Sequence, residues 1–223
     1  MSAHGARTNR NANFLAAKLE RLHQPHVAPL TAFVEQIRAE TGGEVPWFDP
    51  DNGGVRARAL LLLEAPGARS TATTGPRSTA AGSGVISADN NDASAAAMWG
   101  LYREAGLEQD RIAVWNIVPW YLGSPTKIRA AGRSDLELSQ PYLHRLVTLL
   151  PELRVVLALG VPARDGWLRY LLTHDGPLLP TLACPHPSPR VLNTRPESRD
   201  LILAALRRVQ DVISVCGLSS QPP

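Results

Sequence analysis

Three polar side chains of different chemistry follow apolar runs that are typical of buried strands. Glu64 closes the run ARALLLL, Asn116 lies near the end of RIAVWNIVPW, and His186 follows TLAC. A carboxylate can take up a proton or orient a water molecule, and an amide or an imidazole can donate a hydrogen bond to a bound group. If the strands are parallel, their carboxyl ends meet at one edge of a sheet, and the three side chains converge there.

Each of these residues also has a simpler explanation. Glu64 could be a solvated strand end, Asn116 a turn residue or a buried amide bonded to backbone, and His186 a histidine packed on a proline turn. The histidine is nevertheless unusual, because Pro185 and Pro187 restrict its backbone to few conformations. A joint site is indicated by the three residues together and by none of them alone.

Four apolar runs, separated by helical patterns, predict the elements that would position these residues. The runs are residues 57–67, 111–120, 154–160 and a fourth that begins at Thr181. Continuous apolar runs are typical of strands that are buried on both faces. We therefore predict an α/β fold of three layers, α/β/α, with a central four-stranded parallel sheet.

Apolar residues at helical spacing predict the helices. The patterns cover residues 15–22, 30–37, 98–105, 163–173 and 201–212. A further helix carries Leu143 to Leu150, with Ser139 predicted as its N-cap. Residues 45–54 and the segment from Ala68 to about Asp92 are predicted to be irregular, and the polar stretch 87–95 is expected to cap the helix that follows or to meet a ligand.

Composition excludes several classes of protein. Of the 223 residues, 44% are hydrophobic and 19% are charged, which is typical of one soluble domain. We predict a helical segment and loop at 1–56, an α/β core at 57–215 and a tail at 216–223. No apolar run approaches the roughly 20 residues that cross a bilayer, and the N-terminus lacks a secretory pattern, so a cytoplasmic protein without membrane contact is expected. Two cysteines are too few for an iron–sulfur cluster or a structural zinc, so no metal or other cofactor is expected.

Motifs of other catalytic classes are absent from the sequence. It has no phosphate-binding loop, no nucleophile elbow and no His-Glu-x-x-His helix, and His23 and His26 have no third metal ligand nearby. The net charge of +3 permits a polyanionic partner without requiring one. Several arginines follow His186, and they form either a solvated face or a nucleic-acid surface.

Four short motifs in this order resemble those of the uracil-DNA glycosylase superfamily. They are LLEAPG (62–67), WNIVPW (115–120), LALG (157–160) and PHPSP (185–189). The resemblance spans about Ala57 to Arg195. It implies a monofunctional enzyme of base excision repair that flips uracil, or another deaminated base, out of DNA and hydrolyses its N-glycosidic bond. The expected partner is DNA containing such a base, bound by a monomer.

The same resemblance implies roles for individual residues. His186 would stabilise the departing base anion, Glu64 would orient a water molecule or stabilise the sugar cation, and Asn116 would read the edge of uracil. The expected substrate-binding residues are Ala65, Pro66, Gly67, Val85, Ile86, Asn116, Trp120 and Ser188. The expected DNA-binding residues are Arg190, Val191, Leu192, Asn193 and Arg195. Leu192 or Arg190 would fill the space left by the flipped nucleotide.

The chain departs from the superfamily pattern at three points. Members that carry an iron–sulfur cluster have four ligand cysteines, so this chain resembles a clusterless branch. Residues 68–97 contain no aromatic side chain to stack on uracil, so Val85, Ile86 or Trp120 would take that place. Gly67 stands where the members most selective for uracil have a tyrosine that excludes thymine. A non-catalytic nucleic-acid-binding relative is therefore the main alternative to the enzyme, and a hydrolase of free nucleosides is a weaker one.

Overall fold

The computed structural model describes residues 5–71, 82–123 and 129–214. Its strands are β1 (Trp47–Phe48), β2 (Ala59–Leu63), β3 (Val85–Ile86), β4 (Ile112–Asn116), β5 (Val155–Leu159) and β6 (Thr181–Cys184). Its α-helices are α1 (Ala12–Leu19), α2 (Ala28–Thr41), α3 (Ala93–Ala105), α4 (Arg133–Thr148), α5 (Val161–Thr173), α6 (Pro189–Thr194) and α7 (Glu197–Ser214). The predicted tail, residues 216–223, lies outside the described residues.

The central sheet consists of four parallel strands in the order β4-β2-β5-β6, which confirms the predicted α/β fold. β2, β4 and β5 are buried almost throughout, as expected for strands covered on both faces. α7 packs on β5 and β6 and contacts α3 and α6, whereas α5 packs on β2 and β5 and contacts α4. These two groups of helices complete the three layers.

A second sheet contains two short parallel strands that the sequence did not predict. Trp47 pairs with Val85 and Phe48 pairs with Ile86, within segments that were expected to be irregular. That expectation is wrong at these positions because a strand of two residues is too short to show a periodic pattern. Phe48 stacks on Trp115 of β4, with ring centroids 4.2 Å apart, so the small sheet is fastened to the central one.

Helix α4 begins earlier than the sequence analysis predicts. Ser139, the predicted N-cap, lies inside the helix, where its buried hydroxyl donates to the Leu136 carbonyl. The prediction is wrong because Asp135 holds the first turn instead, its Oδ2 accepting from the Gly132 backbone N–H at 2.8 Å. Pro141 lies within the helix, and a proline ordinarily marks a helix boundary in sequence patterns.

The start and end of α3 agree with its sequence signals. The helix ends at Gly106, whose φ is 67°, and glycine is the residue best suited to that conformation. Asp92 caps its start, with Oδ1 accepting from the Ala95 N–H at 2.9 Å. Across residues 5–71, 82–123 and 129–214, none of the helices is long and apolar enough to cross a membrane.

Candidate active site

A cavity of about 410 Å³ opens at the carboxyl ends of β2 and β4. Ligands of parallel α/β sheets bind beyond these strand ends, so the cavity is the candidate site. Its described lining consists of Leu63, Ala65, Pro66, Gly67, Ala68, Arg69, Ser70, Ile86, Ser87, Ala88, Asp92, Ser94, Ala95, Met98, Tyr102, Val114, Asn116, His186 and Pro187. The predicted amide and imidazole therefore meet in one cavity, although 70 positions separate them in the chain.

Asn116 brings a buried amide to the cavity. Its side chain is only 3% exposed, and the pairing of Asn116 with Leu63 in the sheet fixes its backbone. In the part of the chain that the structure describes, its Nδ2 has no hydrogen-bond partner. Because leaving a buried donor unsatisfied costs roughly 1–3 kcal/mol, we expect a ligand in the cavity to accept this hydrogen bond.

His186 is held against the end of β5. The Gly160 backbone N–H donates to the Cys184 carbonyl at 2.9 Å, and a Cβ added at Gly160 would lie 3.2 Å from the Cβ of His186. Burial lowers the pKa of His186, and the negative charge of Glu64 opposes this shift. The imidazole is therefore neutral at neutral pH, with one nitrogen able to donate a hydrogen bond and the other able to accept one.

Glu64 is held by the segment that precedes α4. Its Oε1 accepts from the Ala131 backbone N–H at 2.7 Å. Arg129 and Asp135 fasten this segment through two hydrogen bonds, one of which joins Nη2 and Oδ1 at 2.7 Å. The hydrogen bonds from Arg129 lower the pKa of Asp135 below its usual range. Glu64 itself is outside the described cavity lining, but its charge reaches His186.

Four more of the predicted substrate-binding residues line the cavity. They are Ala65, Pro66, Gly67 and Ile86. Pro66 and Ile86 are buried, whereas Gly67 is exposed at the cavity rim. An aliphatic side chain from the small sheet therefore contacts the cavity in a chain whose segment 68–97 contains no aromatic residue.

Three predicted substrate-binding residues lie outside the described cavity lining. Val85 is fully buried in β3. Trp120 packs edge-on against Tyr142 of α4, with ring centroids 5.8 Å apart. Ser188 caps α6, its Oγ accepting from the Val191 N–H at 3.4 Å. These three side chains therefore make packing or capping contacts and do not line the described cavity.

The predicted DNA-binding residues lie on α6, a helix that the sequence analysis did not identify, and directly after it. Arg190, Asn193 and Arg195 are exposed, and Val191 and Leu192 are half-buried. Leu192 packs against the hydrophobic core. The helix starts two residues after Pro187, which lines the cavity.

Sequence reasoning missed several lining residues, above all Met98 and Tyr102 of α3. They lie four residues apart on one face of the helix and line the cavity, and burial raises the pKa of Tyr102. Their spacing predicts only a helix with one buried face, because a side chain that lines a cavity and one that fills a core produce the same pattern. Tyr102 supplies the cavity with the aromatic ring that residues 68–97 lack.

One cluster of carboxylates has the geometry of a cation site. Oxygens of Asp49, Asp51 and Asp89 lie within 4.8 Å of one another. The Lys18 ammonium lies 2.8 Å from Asp49, 3.0 Å from Asp51 and 2.8 Å from Asp89. A side chain of the protein therefore provides the positive charge that a metal ion would supply.

The sheet order and the position of the cavity define an α/β protein with its candidate ligand site at the strand ends. Comparison with known proteins identifies its family. The sequence model of the uracil DNA glycosylase superfamily matches residues 50–210, so the chain belongs to this superfamily, as its motifs predict. The crystal structure of wild-type SMUG2 from Pedobacter heparinus is similar, with a TM-score of 0.50, 13% sequence identity, and coverage of 83% of this chain and 84% of that chain. At this identity the likeness shows the glycosylase-like fold alone. No curated protein sequence matches the chain.

Proposed function

We propose that the protein is a DNA glycosylase that excises uracil from DNA by hydrolysing its N-glycosidic bond. The observation that carries the proposal is the buried Asn116 amide: the residue lines the cavity, and its Nδ2 has no hydrogen-bond partner among the described residues. Membership of the uracil DNA glycosylase superfamily supports a base as the ligand. Other deaminated bases that present a carbonyl oxygen to this amide are further substrates of the same class.

Asn116 provides the discrimination between uracil and cytosine. Its Nδ2 donates to a uracil carbonyl, and its Oδ1 accepts from the ring N–H of uracil. Cytosine presents an acceptor and an amino group at the same two places, so both hydrogen bonds would be lost. Because the amide is buried, the wrong base leaves it unsatisfied, which costs roughly 1–3 kcal/mol or about tenfold to a hundredfold in specificity.

The reaction separates charge between the sugar and the base. The bond between C1′ and the base nitrogen breaks, and its electron pair leaves with the base. A water molecule oriented by Glu64 forms the new bond to C1′, and its proton passes to the Glu64 carboxylate. His186 donates a hydrogen bond to a carbonyl of the departing base, and this bond strengthens as negative charge develops there.

Helix α6 supplies the contact with DNA. The exposed Arg190 and Arg195 neutralise phosphates on either side of the flipped nucleotide, which makes binding salt-dependent. Extrusion of the base costs a few kcal/mol and costs least at a mismatch. A U:G pair should therefore be processed faster than a U:A pair.

The test is cleavage of oligonucleotides that contain U:G, U:A, single-stranded uracil, hypoxanthine or T:G, followed by alkali to break the abasic site. We expect cleavage at uracil, and we expect His186→Ala to lower kcat far more than affinity for DNA. His23→Ala, which removes an exposed histidine, is the matched control and should behave like the wild type. Binding of uracil DNA without cleavage of any substrate would refute the proposal and favour a non-catalytic relative.

A further inference from the structure

Lys18 is a buried lysine of α1 that lies before the region matched by the superfamily, residues 50–210. Its side chain is 3% exposed. Only two of the chain's 23 basic residues are lysines, at positions 18 and 127. A compact ammonium with three donors therefore occupies this position in a chain whose other basic residues are, with one exception, arginines.

The hydrogen bonds of Lys18 account for all three of its protons. Nζ donates to Asp49 Oδ2 at 2.8 Å, to Asp89 Oδ2 at 2.8 Å and to Ser87 Oγ at 3.2 Å. Burial acts against the charged form of Lys18, but the surrounding carboxylates outweigh it and raise its pKa. The ammonium therefore stays protonated, and it has no lone pair with which to accept a hydrogen bond.

The Ser87 hydroxyl therefore accepts two hydrogen bonds, and its own proton is still available for donation. Its Oγ accepts from Lys18 and also from the Asp89 backbone N–H at 3.0 Å. Both partners can only donate, so they occupy the two lone pairs of the hydroxyl and leave its proton for another acceptor. Ser87 is 9% exposed and lines the cavity, where that acceptor would be a bound ligand.

A second set of contacts fixes the backbone that carries Ser87. The Asn9 backbone N–H donates to the Asp89 carbonyl at 3.0 Å, and Asn9 Nδ2 donates to Asn90 Oδ1 at 2.8 Å. Asn90 Nδ2 in turn donates to the Val85 carbonyl at 2.8 Å. Hydrogen bonds therefore hold residues 85–90 against the N-terminal segment, and the position of Ser87 depends on these bonds.

We infer that the Ser87 hydroxyl donates a hydrogen bond to a carbonyl oxygen of the base in the cavity, and that Lys18 is the positioning residue that enforces this role. The inference rests on the proposed function and deepens it. With the Asn116 amide and the neutral His186 imidazole, the cavity offers three neutral donors, and a base with two carbonyl oxygens, each with two lone pairs, can accept from all of them. An amino group in place of either carbonyl cannot accept, so Ser87 adds a second element of specificity.

The first variants change the hydroxyl alone. Ser87→Ala should lower kcat/KM on a uracil oligonucleotide and the affinity for free uracil by roughly fivefold to tenfold, the value of one neutral hydrogen bond. Ser87→Thr keeps a hydroxyl and should retain most of both. Free cytosine, which lacks the carbonyl that Asn116 reads and keeps the other one, serves as the comparison ligand, and Ser87→Ala should lower its weaker binding by a similar factor.

The second variants test Lys18. Lys18→Met combined with Asp89→Asn removes one positive and one negative charge, and it frees the Ser87 lone pair that accepts from Lys18, so the hydroxyl is no longer confined to one orientation. We expect this pair to lose as much cleavage and uracil binding as Ser87→Ala, with no further loss when Ser87→Ala is added. Asp89→Asn alone keeps the contact between Lys18 and Ser87 and is the matched control.

The outcomes separate the inference from the proposed function. If the wild type cleaves uracil DNA and Ser87→Ala equals it in cleavage and uracil binding, the inference is wrong and the function stands. If the wild type binds uracil through Ser87 but cleaves nothing, the proposed function is wrong and the inference is supported.

If Lys18→Met combined with Asp89→Asn lowers only the melting temperature, with cleavage and uracil binding at 25 °C unchanged, the role of Lys18 is purely structural and the positioning role is wrong. A wild type that neither binds nor cleaves refutes both.

Discussion

Gly160→Ala should impair both the stability of the protein and its catalysis, because this glycine meets two constraints at once. Its φ of 96° and ψ of 165° lie in a region that is open almost only to glycine. An added Cβ would also lie 3.2 Å from the Cβ of His186, which is too close unless His186 moves. The backbone strain alone should cost about 1–3 kcal/mol, or roughly 2–12 °C in melting temperature for a domain of this size.

The catalytic effect of the same change follows from the displacement of His186. The histidine must retreat by a few tenths of an ångström, and its backbone has little freedom between Pro185 and Pro187. Since a shift of about 1 Å can cost a hundredfold in rate, we expect roughly a tenfold lower kcat in the proposed reaction, with DNA affinity little changed. Urea unfolding and single-turnover cleavage of a uracil oligonucleotide measure the two effects.

Gly100→Ala is the matched control for this experiment. Gly100 is exposed in the middle of α3, and an added Cβ would meet nothing within 4 Å. The same substitution should there raise the free energy of unfolding by about 0.5–1 kcal/mol, because alanine loses less backbone entropy in a helix. Equal stability of Gly160→Ala and the wild type, or equal effects of the two substitutions, would refute the reasoning.

Three other perturbations test separate parts of the site. Asp135→Asn should loosen the segment that holds Glu64 and lower kcat several-fold more than DNA affinity, whereas Arg133→Gln, which breaks only an exposed ion pair, should leave single-turnover cleavage unchanged. Arg195→Ala should reduce the slope of log K against log salt by about 1 in DNA-binding titrations, and an unchanged slope would exclude a phosphate contact. Because the pKa of His186 is lowered in the fold, the unfolded chain binds more protons below the ordinary histidine pKa of about 6.5. Stability should therefore fall between pH 7.5 and 5.5 by less in His186→Gln than in the wild type, as calorimetry can show.

The central sheet was predictable from the sequence because its strands carry continuous apolar runs. β2, β4 and β5 each bury both faces, so nearly every residue is apolar and the run alone indicates the strand. The positions of Asn116 and His186 in one cavity followed from the rule that parallel strands end at the same edge. The two-residue strands β1 and β3 were not predictable, since their pairing depends on packing against Trp115 and not on local pattern.

The cavity wall was less predictable than the sheet, for a physical reason. Tyr102 and Met98 carry a helical pattern that fits a core equally well, and Ser87 begins a polar stretch, 87–95, that fits a helix cap as well as a ligand contact. The role inferred for Ser87 depends on Lys18, which is 69 positions away in the chain. A contact of this kind requires α1 to lie against the segments that follow β1 and β3. No local sequence signal indicates that arrangement.

The distribution of charge around the cavity suits a reaction that expels an anionic base. A carboxylate that faced the base would oppose the negative charge developing on it. Glu64 turns Oε1 to the Ala131 N–H, and Asp92, the one carboxylate in the described lining, is engaged by the first turn of α3. In the proposed reaction the base would therefore meet the neutral donors of Asn116 and His186, and Glu64 would face the sugar, on which positive charge develops. In the proposed reaction both charges of the transition state are thus stabilised by groups that are in place before the bond breaks.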